Sequence, residues 1–201
     1  MDKLLKSISY IFHPLLMPLL GVIFYFSKSP RYIPIEIIKA KLISLFILTI
    51  IIPVLLYFLL KTVGIAKTIN LETTKERRIP LILNGILVLI ILDRILTPSE
   101  SIELYFFFVG ILISNMACVL LALFKFKASI HMIGISGLFM FLMALSVHFS
   151  ININGTLAIV CILVGATATS RLHLKAHTSI ELIIGFFVGL MPQLILVNYW
   201  L

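Results

Sequence analysis

The sequence predicts an all-α fold, a polytopic transmembrane helix bundle of six to seven spans, on two observations. Its 201 residues are 61% hydrophobic and only 12% charged, with a mean hydropathy of +1.20. A soluble domain of this size needs far more charge on its surface. Mostly apolar windows of about 18 residues or more, the length that crosses a bilayer as a helix, recur along almost the whole chain.

The first span is expected at about 8–27, within "MDKLLKSISYIFHPLLMPLLGVIFYF". Its basic start resembles a signal peptide, but the apolar run is long for one and no small-x-small cleavage site follows. An uncleaved first span is therefore expected. "KSPRYIPIEIIKAK", with two prolines, reads as a polar connection to a second span at about 41–61. The third is expected at about 80–97, with Pro80 suited to its first helical turn. "TPSESIE" leads to the fourth, about 104–125, and the fifth follows at about 129–149. "SININGT" joins this to the sixth, about 154–170, and the last covers about 178–200. Within that link Asn154-Gly-Thr matches a glycosylation sequon, a tripeptide common by chance. No segment outside the spans is long enough to fold alone and no repeat is visible, so residues 1–201 read as a single integral membrane domain. Cys118 and Cys161 fall in mid-span runs and read as buried small hydrophobes.

Seven spans sort the connections onto two faces. The first face takes the N-terminus and residues 62–79, 126–128 and 171–177; the second takes 28–40, 98–103, 150–153 and the C-terminus. Eleven Lys/Arg fall on the first face and five on the second, which by the positive-inside rule puts the first in the cytoplasm. Six of those eleven (Lys67, Lys75, Arg77, Arg78, Arg171 and Lys175) lie in the candidate site described next. Without them the count is even, and orientation stays open. The net charge of +8 sits in short connections, so it suits anionic headgroups or an anionic substrate rather than nucleic acid. Lys125 and Lys127 read as snorkelling residues.

The first face also collects polar chemistry in three segments: "KTINLETTKERRIP" (67–80), "FKASIHMIG" (126–134) and "SRLHLKAH" (170–177). Ionisable groups at helix mouths are costly unless paired or hydrated, which makes them functional candidates. If the last helix begins near residue 176, His177 and Glu181 stand i,i+4 on one face. Glu181 would then fix the imidazole tautomer and leave the other nitrogen as nucleophile or base. Arg171 is placed to lay a guanidinium fork over an anion. His131 enters at the mouth of the fifth span, and Arg77 and Arg78 just before the third. Two histidines, a carboxylate and several cations suit metal-free phosphoryl transfer. A metal site is the rival, but no Asp-rich segment suits Mg²⁺; no cofactor is expected.

These residues resemble the type 2 phosphatidic acid phosphatase family, membrane-embedded histidine phosphatases. The third motif of that family, Ser-Arg, five residues, His, three residues, Asp, is matched by Ser170, Arg171, His177 and Glu181, with Glu for the final Asp. Its second, Pro-Ser-Gly-His, is matched in part by "ASIH", with Ser129 and His131 in register. Its first, Lys, six residues, Arg-Pro, is loosely met by "KERRIP". The resemblance spans residues 67–181 and implies a six-helix core. It implies His177 as nucleophile forming a phosphohistidine, oriented by Glu181, with His131 as general acid. Arg171, Arg77 or Arg78, Lys75, Ser129 and Ser170 would bind phosphate. The implied substrate is a lipid phosphate or pyrophosphate entering laterally from the bilayer. Isoprenoid pyrophosphate, phosphatidic acid, phosphatidylglycerol phosphate and lipid A types all remain open. A bacterial inner (cytoplasmic) membrane is the expected location. The alternative is a non-catalytic membrane protein that binds or carries anionic lipid.

Other polar residues are given quieter roles. His13, in "FHPLLMP", is expected to make a polar contact within the bundle or at headgroup level. His148 is expected at the far interface and His173 in support of His177. Asp93 and Arg94 would pair with each other or snorkel. Gly134, Gly137, Gly185 and Gly189 would allow close helix approach, and Pro192 would kink the last span.

Overall fold

The structure, a computed structural model, describes residues 2–65 and 73–201, with side chains from Leu5 onward. Among these residues it is all helical. The helices are α1 (Asp2–Ile11), α2 (Met17–Lys28), α3 (Ile35–Phe46), α4 (Ile52–Thr62), α5 (Thr74–Arg94), α6 (Ile102–Leu123), α7 (Ile130–His148), α8 (Asn154–His173) and α9 (Ser179–Leu196). Six segments are long and apolar enough to cross a membrane: Leu5–Lys28, Ile35–Thr62, Ile102–Leu123, Ile130–His148, Asn154–His173 and Ser179–Tyr199. The chain is thus a polytopic integral membrane protein. Helix α5 has 21 residues, about 31 Å at 1.5 Å per residue. It has the length of a seventh span, but Arg77 and Arg78 near one end and Asp93 and Arg94 at the other shorten its apolar middle.

Three boundaries differ from the sequence expectation, each for a local reason. The first span is broken. Helix α1 stops at Ile11, and Pro14–Leu16 form a 3-10 turn before α2. Pro14 lacks an N–H and drives the preceding residue out of the helical region; His13 is extended, at φ −67° and ψ 138°. The second span starts earlier, at Ile35, and carries a π turn at Ile47–Ile51. Pro53 follows that turn, and a widened turn accommodates its missing donor and its bulk. The third helix begins at Thr74 rather than Pro80. Thr73 caps it, its Oγ1 accepting the Glu76 N–H at 3.3 Å. Arg77 and Arg78 therefore stand on a helix, and Pro80 lies inside it.

The core centres on α7, packed along α9. Close approach there depends on Gly189, where an added Cβ would run into the Ile133 carbonyl and the Ser136 hydroxyl, and on Gly185 against the Ser129 backbone. Pro192 cannot donate to the Val188 carbonyl one turn earlier; the Ser114 hydroxyl donates to that carbonyl instead, at 2.9 Å. Phe107 and Phe141 stack at 4.1 Å between ring centroids. Cys118 is buried as expected, but Cys161 is exposed on the bundle surface. Asp93 and Arg94 do pair, at 2.7 Å.

The two expected faces are borne out by contacts. At the second face Lys41 pairs with Glu100 at 2.7 Å. Beneath it Glu103, with no exposed surface, meets Arg31 at 2.6 Å and His148 at 3.1 Å. The Tyr25 hydroxyl donates to the same carboxylate at 3.1 Å, and Trp200 sets its ring edge-on to His148. The first face gathers the other polar cluster.

Candidate active site

Helices α1, α5, α7, α8 and α9 and the connections ahead of α7 and α9 meet at the first face. Helix α8 ends in a Schellman turn: Lys175 takes φ 52°, its N–H bonds to the Leu172 carbonyl, and the Ala176 N–H bonds to the Arg171 carbonyl. That reversal delivers His177 just ahead of α9. Thr178 caps α9 in a capping box with Glu181, the Glu181 N–H reaching Thr178 Oγ1 and the Thr178 N–H reaching Glu181 Oε2. Although α9 starts at Ser179 rather than near 176, the expected pair forms. His177 Nδ1 and Glu181 Oε2 are 3.0 Å apart. The N–H then sits on Nδ1, and the lone pair on Nε2 is left for chemistry.

His177 is buried and lines a cavity of about 520 Å³, together with Arg77, His131 and Arg171. Burial and the positive charges of Arg77, Lys127 and Arg171, against the opposing pull of Glu181, hold its pKa down to about 4. At neutral pH the ring is therefore uncharged. Arg77 is 3% exposed and Arg171 5%. Arg77 Nη1 donates to the Ala128 carbonyl at 2.7 Å. Arg171 Nη1 reaches Ser9 Oγ at 3.5 Å, and its buried Nε has no hydrogen-bond partner among the described residues. Two buried guanidiniums and one nearby carboxylate leave a local excess of positive charge, which an anion would offset.

His131, on the second residue of α7, places Nε2 at 3.2 Å from the Ser9 carbonyl. A carbonyl can only accept, so Nε2 carries a proton and Nδ1 is the unengaged nitrogen. Ser9 comes from α1, which docks along α8 by a second link: Ser170 Oγ donates to the Leu5 carbonyl at 2.6 Å and lies 2.8 Å from Ser9 Oγ. Ser170 is thus a fully buried tie between helices. Ser129, also fully buried, caps α7 by accepting the Met132 N–H, while its own N–H donates to the Glu181 carbonyl at 3.1 Å. It joins α7 to α9, and neither serine is on the cavity wall. Arg78 points elsewhere, donating to the Ala122 carbonyl at 3.2 Å; its Nε also lacks a partner. Lys75 and His173 are exposed and off the wall. Lys127 donates to the Ala176 carbonyl at 2.9 Å, so it ties two first-face connections rather than merely snorkelling. Lys67 lies outside the described residues.

Sequence reading missed two contributors. His13 lines the cavity, its ring edge-on to His131 with centroids 5.4 Å apart, and Ser9 contacts both His131 and Arg171. The one available signal for the first was a histidine directly before proline inside an apolar run, which marks a break.

Below the polar end the cavity is apolar. Its wall includes Leu48, Pro53, Leu81, Val88, Ile91 and Phe108. Arg77 and Ile91, both on that wall, stand about 21 Å apart along α5, against a hydrocarbon core of about 30 Å. The cavity thus joins a cationic end to a largely apolar body. Comparison with protein-family models, with curated proteins and with solved structures finds no match.

Proposed function

We propose that this chain is an integral membrane phosphatase acting on a lipid phosphate or pyrophosphate through a phosphohistidine. The observation that carries the reading is the convergence of Arg77, His131, Arg171 and His177 on one cavity whose body is apolar. The resemblance of Ser170, Arg171, His177 and Glu181 to the third motif of the type 2 phosphatidic acid phosphatases supports it independently.

In this reading the lipid tail lies in the apolar channel and the phosphoryl group meets Arg77 and Arg171. His177 Nε2 attacks phosphorus, and the bond from phosphorus to the lipid oxygen breaks. The charge that develops on the imidazole is met by Glu181 through Nδ1–H. His131 becomes an imidazolium by taking the proton of the monoanionic phosphate headgroup at Nδ1. Its Nε2–H stays on the Ser9 carbonyl while Nδ1 gives its proton to the leaving oxygen. Water then attacks phosphorus, the phosphorus–nitrogen bond breaks, and a water proton returns to His131 Nδ1. Lipid alcohol (or lipid monophosphate from a pyrophosphate) and inorganic phosphate leave. The low pKa of His177 keeps the nucleophile unprotonated throughout the physiological range.

The test is phosphate release from a panel of lipid phosphates in EDTA, wild type beside His177→Ala. Release by the wild type that is lost in the variant is the expected result. No release from any substrate by folded protein overturns the assignment and favours a binder of anionic lipid. Such a binder would keep its lipid association in His177→Ala.

A further inference from the structure

We infer that His13 is a third imidazole of the phosphate site, donating Nε2–H to an oxygen of the anion that Arg171 also holds. The inference rests on the phosphatase reading only for the identity of the anion.

Its placement comes from the break in the first span. Had α1 run on into α2, residue 13 would be one more position on a lipid-crossing helix. Instead Pro14 ends the helix, and the extended His13 caps the 3-10 turn. Its Nδ1 accepts the Leu15 N–H at 3.4 Å. A neutral imidazole that accepts at one nitrogen carries its proton on the other. His13 is therefore the Nε2–H tautomer, assigned here from the hydrogen-bond network.

What surrounds that N–H points to an anion. His13 is half-buried and on the cavity wall, and no protein acceptor for Nε2 exists among the described residues. Its neighbour His131 spends Nε2 on Ser9, and Ser9 in turn contacts Arg171, whose Nε is buried and unmet. One cavity end thus presents two uncommitted donors, His13 Nε2–H and Arg171 Nε–H, with no carboxylate or carbonyl bonded to either among the described residues. A phosphoryl group, with three acceptor oxygens, satisfies both. No proton transfer is assigned to His13: losing Nε2–H while Nδ1 accepts would leave an imidazolate. It is a binding donor, and proton transfer stays with His131.

The test uses the full chain in detergent micelles with inorganic phosphate as probe. His13→Phe keeps a ring against His131 and removes both nitrogens. His13→Ser keeps an acceptor for the turn and removes the donor. Both are expected to raise the inhibition constant of phosphate about tenfold to hundredfold, the range for one hydrogen bond to a charged group, with thermal midpoints near wild type. His13→Gln restores an N–H and is expected to recover part of the loss. In ¹⁵N-histidine spectra, phosphate should shift the His13 resonances as well as those of His177. The inference fails if folded Phe and Ser variants bind phosphate like wild type, or if phosphate moves His177 and not His13. Should the wild type hydrolyse no lipid phosphate, the phosphatase reading falls and the phosphate titration alone decides. A His13 shift abolished by Arg171→Gln supports the shared anion site, and no His13 shift overturns it.

Discussion

At the second face, Glu103 is a carboxylate with no exposed surface, yet both oxygens are used: Oε1 by Arg31 and His148, Oε2 by Tyr25. At the first face, Arg77 and Arg171 are almost as deeply buried, but they face a cavity and one guanidinium N–H has nothing to bond. Burial is common to both ends; what separates them is whether the charge is closed off by partners. A saturated cluster holds the ends of α2, α6 and α7 together. An unsaturated one of net positive charge, lining a cavity, suits the anion of the proposed function.

That contrast can be broken at several points. The largest expected effect is at His177: replacement by Ala should cut phosphate release at least about 10³-fold while the thermal midpoint stays near wild type, as measured by phosphate assay beside a melt. Next is Arg171→Lys, which keeps the charge and loses the fork. About tenfold to hundredfold lower kcat/KM is expected, read on the same lipid substrate. The opposite end should behave the other way. Arg31→Ala leaves Glu103 buried with only His148 and Tyr25. A loss of about 2 kcal/mol is expected, seen as a lower thermal midpoint, with turnover per folded molecule unchanged; a loss of turnover without a loss of stability would erase the distinction between the ends. The acid limb of kcat/KM should fall near pH 4 rather than near 6.5, because the folded protein disfavours charging His177. For stability the sign follows from the same shift. The unfolded chain takes up the proton first, so this group's contribution is complete above pH 6.5 and is lost as pH falls from there towards 4. Smallest is Lys75→Ala, off the cavity wall, for which kcat/KM within about twofold of wild type is expected.

Much of the scaffold was legible in the sequence, because hydrophobic length and charge placement are what a bilayer selects. The pairing of His177 with Glu181 was legible as well, since four residues on one helix turn, or just ahead of it, bring the two groups together. The choice between Arg77 and Arg78 was not. It depends on a helix that starts at Thr74, outside the apolar window, and on which side of that helix turns toward the Ala128 carbonyl. The role of Ser9 was illegible for another reason: its partners Ser170 and Arg171 are more than 160 residues away, and no local pattern reports a contact of that kind. Ser129 and Ser170 show the reverse case. They stand at motif positions, yet their hydroxyls are taken up by a helix cap and a helix tie.

The docking of α1 on α8 has a consequence for biogenesis. Helix α1 is made long before α8, so Leu5 and Ser9 wait for Ser170, and the Ser9 carbonyl is fixed for His131 only once α8 is in place. His177 itself emerges later still. A chain entering the membrane therefore has α1 to α7 available for insertion while the proposed site is still unassembled. A nascent chain arrested before α8 should insert stably, resist carbonate extraction, and release no phosphate. Completion of the α8–α9 hairpin would assemble the proposed site in one step.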